Sequence, residues 1–246
     1  MNIAILVPFY KNVPSLTCKC LLDLVIQLRN HGISYSFHST ADTYLHTARE
    51  QLFEQFEAHA EKREYDFVLH IDSDQTFRPE DVVRLLKHAE ENDYSILSGI
   101  YFSEFGEMVL PVLLKEMDAE AKKRTAKARG VKPGEVKEKY YRLVSMPNKP
   151  FFEVDSCGFG FMACKPQVYK DIAEKFGRPV FAPEAEKGSG RIKGEDVIWC
   201  EKAKKAGHKV MVDHSVIVGH LGGEIGLREY RAWVAEELIK KKAKGK

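Results

Sequence analysis

Short apolar runs alternate with stretches of helical periodicity over the first hundred residues. Asn2 to Val7 is a continuous apolar run, the pattern of a strand covered on both faces. Leu21, Leu24, Val25 and Leu28 recur at i, i+3, i+4 and i+7, which predicts a helix that Gly32 ends in the left-handed conformation. Ile33, Tyr35 and Phe37 alternate as a second strand. Leu45, Ala48, Leu52, Phe53 and Phe56 line one face of a second helix, and Phe67 to Ile71 is a third, buried strand. Pro79 suits the first turn of a third helix, with Glu80 and Asp81 at its positive end and Val82, Val83, Leu86 and Ala89 as its buried stripe. Tyr94 to Leu97 reads as a fourth strand. This alternation predicts an α/β fold, an open and mostly parallel sheet flanked by helices with right-handed crossovers.

The second half is less regular. Strand-like segments at Val109–Leu114 and Tyr140–Val144 flank a polar stretch, residues 115–142, with ten Lys/Arg against five Asp/Glu. That stretch reads as a mobile basic insertion. Further strands are expected at Phe151–Val154 and Phe159–Cys164, and a helix from Pro166 to Phe176. Residues 177–193, rich in Gly, Pro and charge, suggest a loop over a site. A helix at Glu195–Ala206, with Val197, Cys200 and Ala203 buried, is closed by Gly207 and precedes a strand at Lys209–Val212. A final helix from about Leu227 passes into a lysine-rich tail, residues 227–246 together.

The 246 residues suit one domain, 1–246, and 44% hydrophobic content excludes a disordered chain. A net charge of +2 excludes a surface-wide electrostatic grip on nucleic acid. No run of about 18 apolar residues predicts a transmembrane helix. The first residues read as a core strand, not a signal peptide. Five cysteines, Cys18, Cys20, Cys157, Cys164 and Cys200, show no CxxC spacing, and free thiols point to a cytoplasmic protein.

Three stretches offer chemistry. Asp72-Ser73-Asp74 follows the third strand, and an extended chain would turn both carboxylates to one side. Such a pair suits Mg²⁺ or Mn²⁺ with substrate phosphates; the same sequence also makes turns and caps. Glu195 and Asp196 open a helix behind Gly194, as dipole partners or with one of them as a general base. There the helix start predicts a depressed carboxyl pKa. His220 ends an apolar run between Gly219 and Gly222-Gly223, as a hydrogen-bonded surface residue or as a ligand to an ion held by Asp74.

In order and spacing, Ile3–Pro8, Asp72-Ser73-Asp74, Glu153–Gly160, Gly194-Glu195-Asp196 and His220 resemble the GT-A glycosyltransferases, closest to the family 2-like inverting enzymes. The resemblance spans nearly the whole chain. It implies a GT-A fold and transfer of a sugar from a nucleotide-sugar, by family habit a UDP-sugar, to the hydroxyl of a glycan, polymer or other acceptor. It implies Mn²⁺ or Mg²⁺ held by Asp74 and His220, and Asp196 as the base that deprotonates the acceptor. Asp72 would touch the ribose or sugar, with Ser73 and Glu195 also at the substrate. Pro8, Phe9, Tyr10 and Asp42 would contact the nucleoside, Arg49 the nucleotide or its phosphates, and the backbone at Gly158 and Gly160 the sugar.

Bland readings stand beside these. Phe9 and Tyr10 serve as packing, Asp42 as a helix cap, Arg49 as a surface partner of Glu50 or Glu54, and Gly158 and Gly160 as a bulge. The basic insertion and the tail either meet an anionic acceptor or surface or are simply solvated. Two rival functions remain open. One is a catalytically silent nucleotide- or glycan-binding module. The other is a sugar-phosphate nucleotidyltransferase, against which the segment Pro8–Pro14 lacks a glycine-rich loop.

Overall fold

The computed structural model describes residues 1–9, 12–41, 43–105, 108–185, 192–221 and Ala235. Tyr10, Asp42, Gly222, Gly223 and, Ala235 apart, the C-terminal helix and tail expected at 227–246 lie outside the described residues.

The chain builds a seven-stranded sheet from β1 (Asn2–Pro8), β2 (Ser34–Thr40), β3 (Phe67–Ile71), β4 (Ile96–Ile100), β5 (Phe151–Val154), β6 (Phe161–Cys164) and β7 (Val210–Ile217), in the order β5-β7-β4-β6-β3-β1-β2. β1 runs parallel to β2 and β3, and β7 parallel to β4. β6 lies antiparallel between β3 and β4, and β5 antiparallel at the edge beside β7. β1–β4 and β7 therefore share one direction, and the sheet is mixed.

Among the described residues six α-helices flank the sheet: α1 (Ser15–Asn30), α2 (Leu45–Ala60), α3 (Pro79–Glu91), α4 (Ala119–Arg129), α5 (Pro166–Phe176) and α6 (Glu195–Lys205). The period-2 alternation of β1 explains why its sequence is apolar throughout. Ile3, Ile5 and Val7 pack with Leu21, Leu24 and Leu28 of α1 and Val82 and Leu86 of α3. Ala4 and Leu6 enter the opposite layer with Phe53 and Phe56 of α2, Tyr169 of α5 and Trp199 of α6. Gly32 takes φ 66° behind α1, as its sequence position requires.

Several boundaries differ from the sequence pattern, each for a local reason. β4 runs to Ile100 because the buried Ser98 satisfies its hydroxyl on the Gly99 carbonyl, 2.8 Å away, so a polar residue does not end the strand. β7 likewise continues through Asp213, whose buried carboxylate accepts from Ser215 N and Oγ at 2.9 and 2.7 Å and meets His88 Nδ1 at 2.6 Å. Val25 and Val197 are half-buried, and Leu45 is 46% exposed at the first turn of α2. Ile198 and Trp199 take the core positions of α6 instead.

The basic stretch expected to be mobile holds α4. Asp118 caps it, accepting the Ala121 N–H at 2.6 Å, and the buried Ala121 and Ala126 seat it. Tyr140–Arg142 then pairs with Leu113–Glu116, which pairs with Ser156–Cys157. In the segment read as a loop over a site, Glu184–Ala185 pairs with Ile192–Lys193, and residues 186–191 lie outside the described residues. No described helix is long and apolar enough to cross a membrane.

Glu201 of α6 anchors the α4 unit. Its Oε1 accepts from Tyr140 Oη at 2.6 Å and from Lys139 and Lys193 Nζ at 3.0 Å each. Burial alone would raise the Glu201 carboxyl, but these bonds outweigh it and draw it down to about 2. A depressed folded-state value means stability that is complete above the unfolded value of about 4.3 and is lost as pH falls through the folded one. Discounted for solvent screening, Glu201→Gln should cost on the order of 1 kcal/mol at pH 7. Urea unfolding should show the gap to the unsubstituted protein closing as pH approaches 2; a gap independent of pH would contradict the assignment.

Candidate functional site

The sheet brings its chemistry to one rim. Asp72 follows the end of β3, and because β6 runs backwards beside it, the residue before β6 lies at the same level: Asp72 N–H donates to Gly160 O at 3.0 Å. The end of β7 reaches the same place. Gly219–His220 pairs with Gln75–Thr76, and Leu221 N–H donates to Asp74 O at 2.7 Å. These bonds set His220 Nε2 3.2 Å from Asp74 Oδ2.

Residues 72–75 are a turn, closed by Gln75 N–H to Asp72 O at 3.1 Å, and not the extended segment that the alternation argument assumed. The two carboxylates accordingly take different partners, Arg49 for Asp72 and His220 for Asp74. Burial raises the Asp72 carboxyl, opposed by Arg49 and reinforced by Asp74. Burial also works on Asp74, but there the His220 hydrogen bond and charge prevail and hold it below the usual carboxylate value. The same hydrogen bond raises His220.

Arg49 is 2% exposed on α2, so it is not the surface partner of Glu50 or Glu54. Its Nη2 donates to both Asp72 oxygens, at 2.8 and 3.2 Å, and its Nε to Glu195 Oε1 at 3.3 Å. The guanidinium also lies 5.1 Å from the centre of the Phe159 ring. A buried cation demands such partners. Glu50 is occupied elsewhere, accepting the Phe181 N–H at 2.9 Å.

Glu195 and Asp196 open α6 behind Gly194, and Asp196 Oδ1 accepts the Val197 N–H at 2.7 Å. The depressed pKa expected of a helix start is overturned. Burial, then the charge of Glu195, raises the Asp196 carboxyl above its ordinary value, because desolvation outweighs the pull of the backbone N–H. Asp72 and Asp196 in turn both act on Tyr101, whose phenol burial pushes well above its usual range and keeps protonated.

Gly158 and Gly160 are explained by Tyr101. A Cβ at Gly158 would stand 1.9 Å from Tyr101 Oη, and one at Gly160 would meet the ring at 2.9 Å and Gln75 Nε2 at 2.7 Å. Gly160 N–H donates to Tyr101 Oη at 3.4 Å, and the Tyr101 and His220 rings lie 5.5 Å apart. Beside this rim is a cavity of ≈ 350 Å³ lined by Pro8, Phe9, Thr43, Tyr44, Leu45, Ala48, Asp72, Ser73 and Asp74. The exposure of Leu45 follows from its place in this wall, and Tyr44 beside it is 80% exposed.

Among the described residues no three His, Cys, Asp or Glu side chains converge as a metal site. The pair that does meet, Asp74 and His220, still suits a divalent ion. A carboxylate oxygen and an imidazole nitrogen are acceptable donors, and neighbouring ligands about 2.1 Å from an octahedral ion stand about 3 Å apart, close to the separation seen here. Such ions take their remaining ligands from phosphates and water.

Tyr101, Tyr44 and Arg142 escape the sequence reading. Tyr101 had a signal, its place directly after a buried parallel strand, where ligands collect. Arg142, inside the basic stretch, had none. It donates to Ser103 Oγ at 2.7 Å and feels the charges of Tyr101 and Asp196.

No protein-family model and no curated protein matches the sequence. Solved structures do resemble the fold. A197 from STIV has a TM-score of 0.53 at 19% identity, over 89% of this chain and 85% of that one. GalNAc-T7, solved with UDP, GalNAc and Mn²⁺, has a TM-score of 0.50 at 10% identity over 89% of this chain. This chain spans 43% of the length of GalNAc-T7. S. aureus TarS is matched over 89% of this chain and 36% of its own, with a TM-score of 0.45 and 15% identity. The α/β architecture is that of the GT-A glycosyltransferase fold.

Proposed function

We propose that this chain is a metal-dependent glycosyltransferase that moves a sugar from a nucleotide-sugar, a UDP-sugar by preference, to an acceptor hydroxyl with inversion. The observation that carries the reading is the meeting of three distant stretches at one rim: the Asp72–Asp74 turn, the Glu195–Asp196 helix start and His220, beside the Pro8–Phe9–Tyr44 cavity.

Asp74 and His220 would hold the ion, which when bound acts as a Lewis acid on the departing diphosphate. The cavity takes the nucleoside, with Phe9 and Tyr44 offering aromatic faces and Pro8 and Ser73 shaping the entry. Tyr10 and Asp42 belong to this reading as further nucleoside contacts. Arg49 engages both oxygens of Asp72 and one of Glu195, whereas Asp196 takes the Val197 N–H on Oδ1 and offers its other oxygen to the proton of the attacking hydroxyl. Its raised pKa makes it the stronger base for that step. One base, with Asp72 and Glu195 both paired to Arg49, favours a single displacement over a covalent intermediate.

The acceptor side is served by the unit carrying Arg142, near Asp196. Its helix α4 exposes Lys123, Arg124 and Lys127, which favours an anionic acceptor. Acceptor KM rising steeply with added salt is the expected signature, and a salt-independent KM would remove that part of the reading.

A screen of nucleotide-sugars for transfer or donor hydrolysis, with Mn²⁺ and then with EDTA, tests the whole. Turnover should disappear with chelator and return with Mn²⁺; undiminished turnover in EDTA would refute the metal. Binding of UDP by calorimetry without turnover of any donor would favour the silent binding module instead.

A further inference from the structure

We infer that Arg49 is a positioning residue of the transfer reaction: it fixes the spacing between the Asp72–Asp74 turn and the Glu195–Asp196 helix start, and does not touch the nucleotide. This rests on the glycosyltransferase reading for its catalytic part alone. Arg49 stands between two carboxylates from different elements, on Asp72 at 2.8 and 3.2 Å and on Glu195 at 3.3 Å. Without a cation there, Asp72 and Glu195 would face each other as like charges in a poorly hydrated place, and the first turn of α6 would have to move away.

Arg49 presents nothing to the nucleoside cavity. Its Nη2 and Nε are engaged, its guanidinium carbon lies 5.1 Å from the centre of the Phe159 ring, and its Nη1, which has no hydrogen-bond partner among the described residues, is buried. The neighbouring Ala48 lines the nucleoside cavity, and Arg49 does not. The next residue after Glu195 is Asp196, so a shift of the helix start displaces the base from the acceptor, and small misplacements of that kind cost rate more than affinity.

The experiment compares Arg49→Lys and Arg49→Met with the unsubstituted chain. UDP affinity in the presence of Mn²⁺, measured by calorimetry, should stay within about threefold, and donor KM with it. The kcat should fall about 10²-fold in Arg49→Met. It should fall less in Arg49→Lys, because an ammonium keeps the charge but not the fork that serves two partners. Hydrogen exchange at the amides of residues 195–198 should accelerate relative to those of α5. UDP affinity weakened tenfold or more with kcat unchanged would overturn the inference in favour of a nucleotide contact. If Arg49→Met does not fold, Arg49→Lys decides by the same measurements. If the unsubstituted chain transfers no sugar, the functional reading fails; the clamp then stands on accelerated exchange at 195–198 and falls if exchange is unchanged.

Discussion

Asp196→Asn should lower kcat about 10³-fold while nucleotide binding stays intact. Asn keeps the shape of the side chain and can still accept the Val197 N–H, so the helix start behind Gly194 remains formed. What it loses is basicity, and no neighbour replaces it. Glu195 and Asp72 are committed to Arg49, and the Tyr101 phenol is held protonated. Calorimetry with UDP and Mn²⁺ should give the affinity of the unsubstituted protein, against a transfer assay that shows almost nothing. Activity within tenfold of the original would remove Asp196 from the chemistry.

Gly158→Ala should be severely destabilising. The added methyl would lie 1.9 Å from Tyr101 Oη, with Val112 Cγ1 at 3.1 Å closing the other side. Tyr101 is 8% exposed and cannot swing into water. Overpacking of this kind costs about 2–3 kcal/mol, and the forced movement falls on a ring beside Asp72, Asp196 and His220. Urea unfolding and transfer should therefore both suffer. Tyr101→Phe in the same chain removes the nearest clash and leaves the ring carbon at 2.9 Å, so it should restore stability in part. An unchanged unfolding midpoint in Gly158→Ala would show that the ring is not held where it is described.

The frame of the fold was legible because β1 and β3 are buried on both faces and because α1 and α3 repeat their apolar residues on one side. The order of the strands was not. The four residues of β6, Phe-Met-Ala-Cys, look like any other buried strand and carry no local sign that they run backwards through the middle of the sheet. Polar residues satisfied inside β4 and β7 shortened those strands on paper. α4 looked like a solvated linker because two alanines suffice to seat it. At the site, Asp72, Asp74, Asp196 and His220 stood out as chemistry next to predicted element ends. The charge of Arg49 gave no hint of burial, since its partners come from strands and helices far along the chain. The pKa direction of Asp196 was misjudged for the same reason: a helix start is visible in sequence, and the desolvation around it is not.

The place of β6 also bears on how the protein is made. When a ribosome has released the first 150 residues, β3 has one open edge and β4 has two, because its neighbours β6 and β7 both come later in the chain. Both strands are buried in the finished sheet, so the nascent chain exposes adhesive borders until residues 161–164 join β3 to β4 and residues 210–217 cover the far side of β4. The late β6 also brings Gly160 to Asp72. The folding intermediate most prone to self-association and the one without a formed rim are therefore the same species, and a pause in translation just before β6 should send the chain to chaperones or into aggregates.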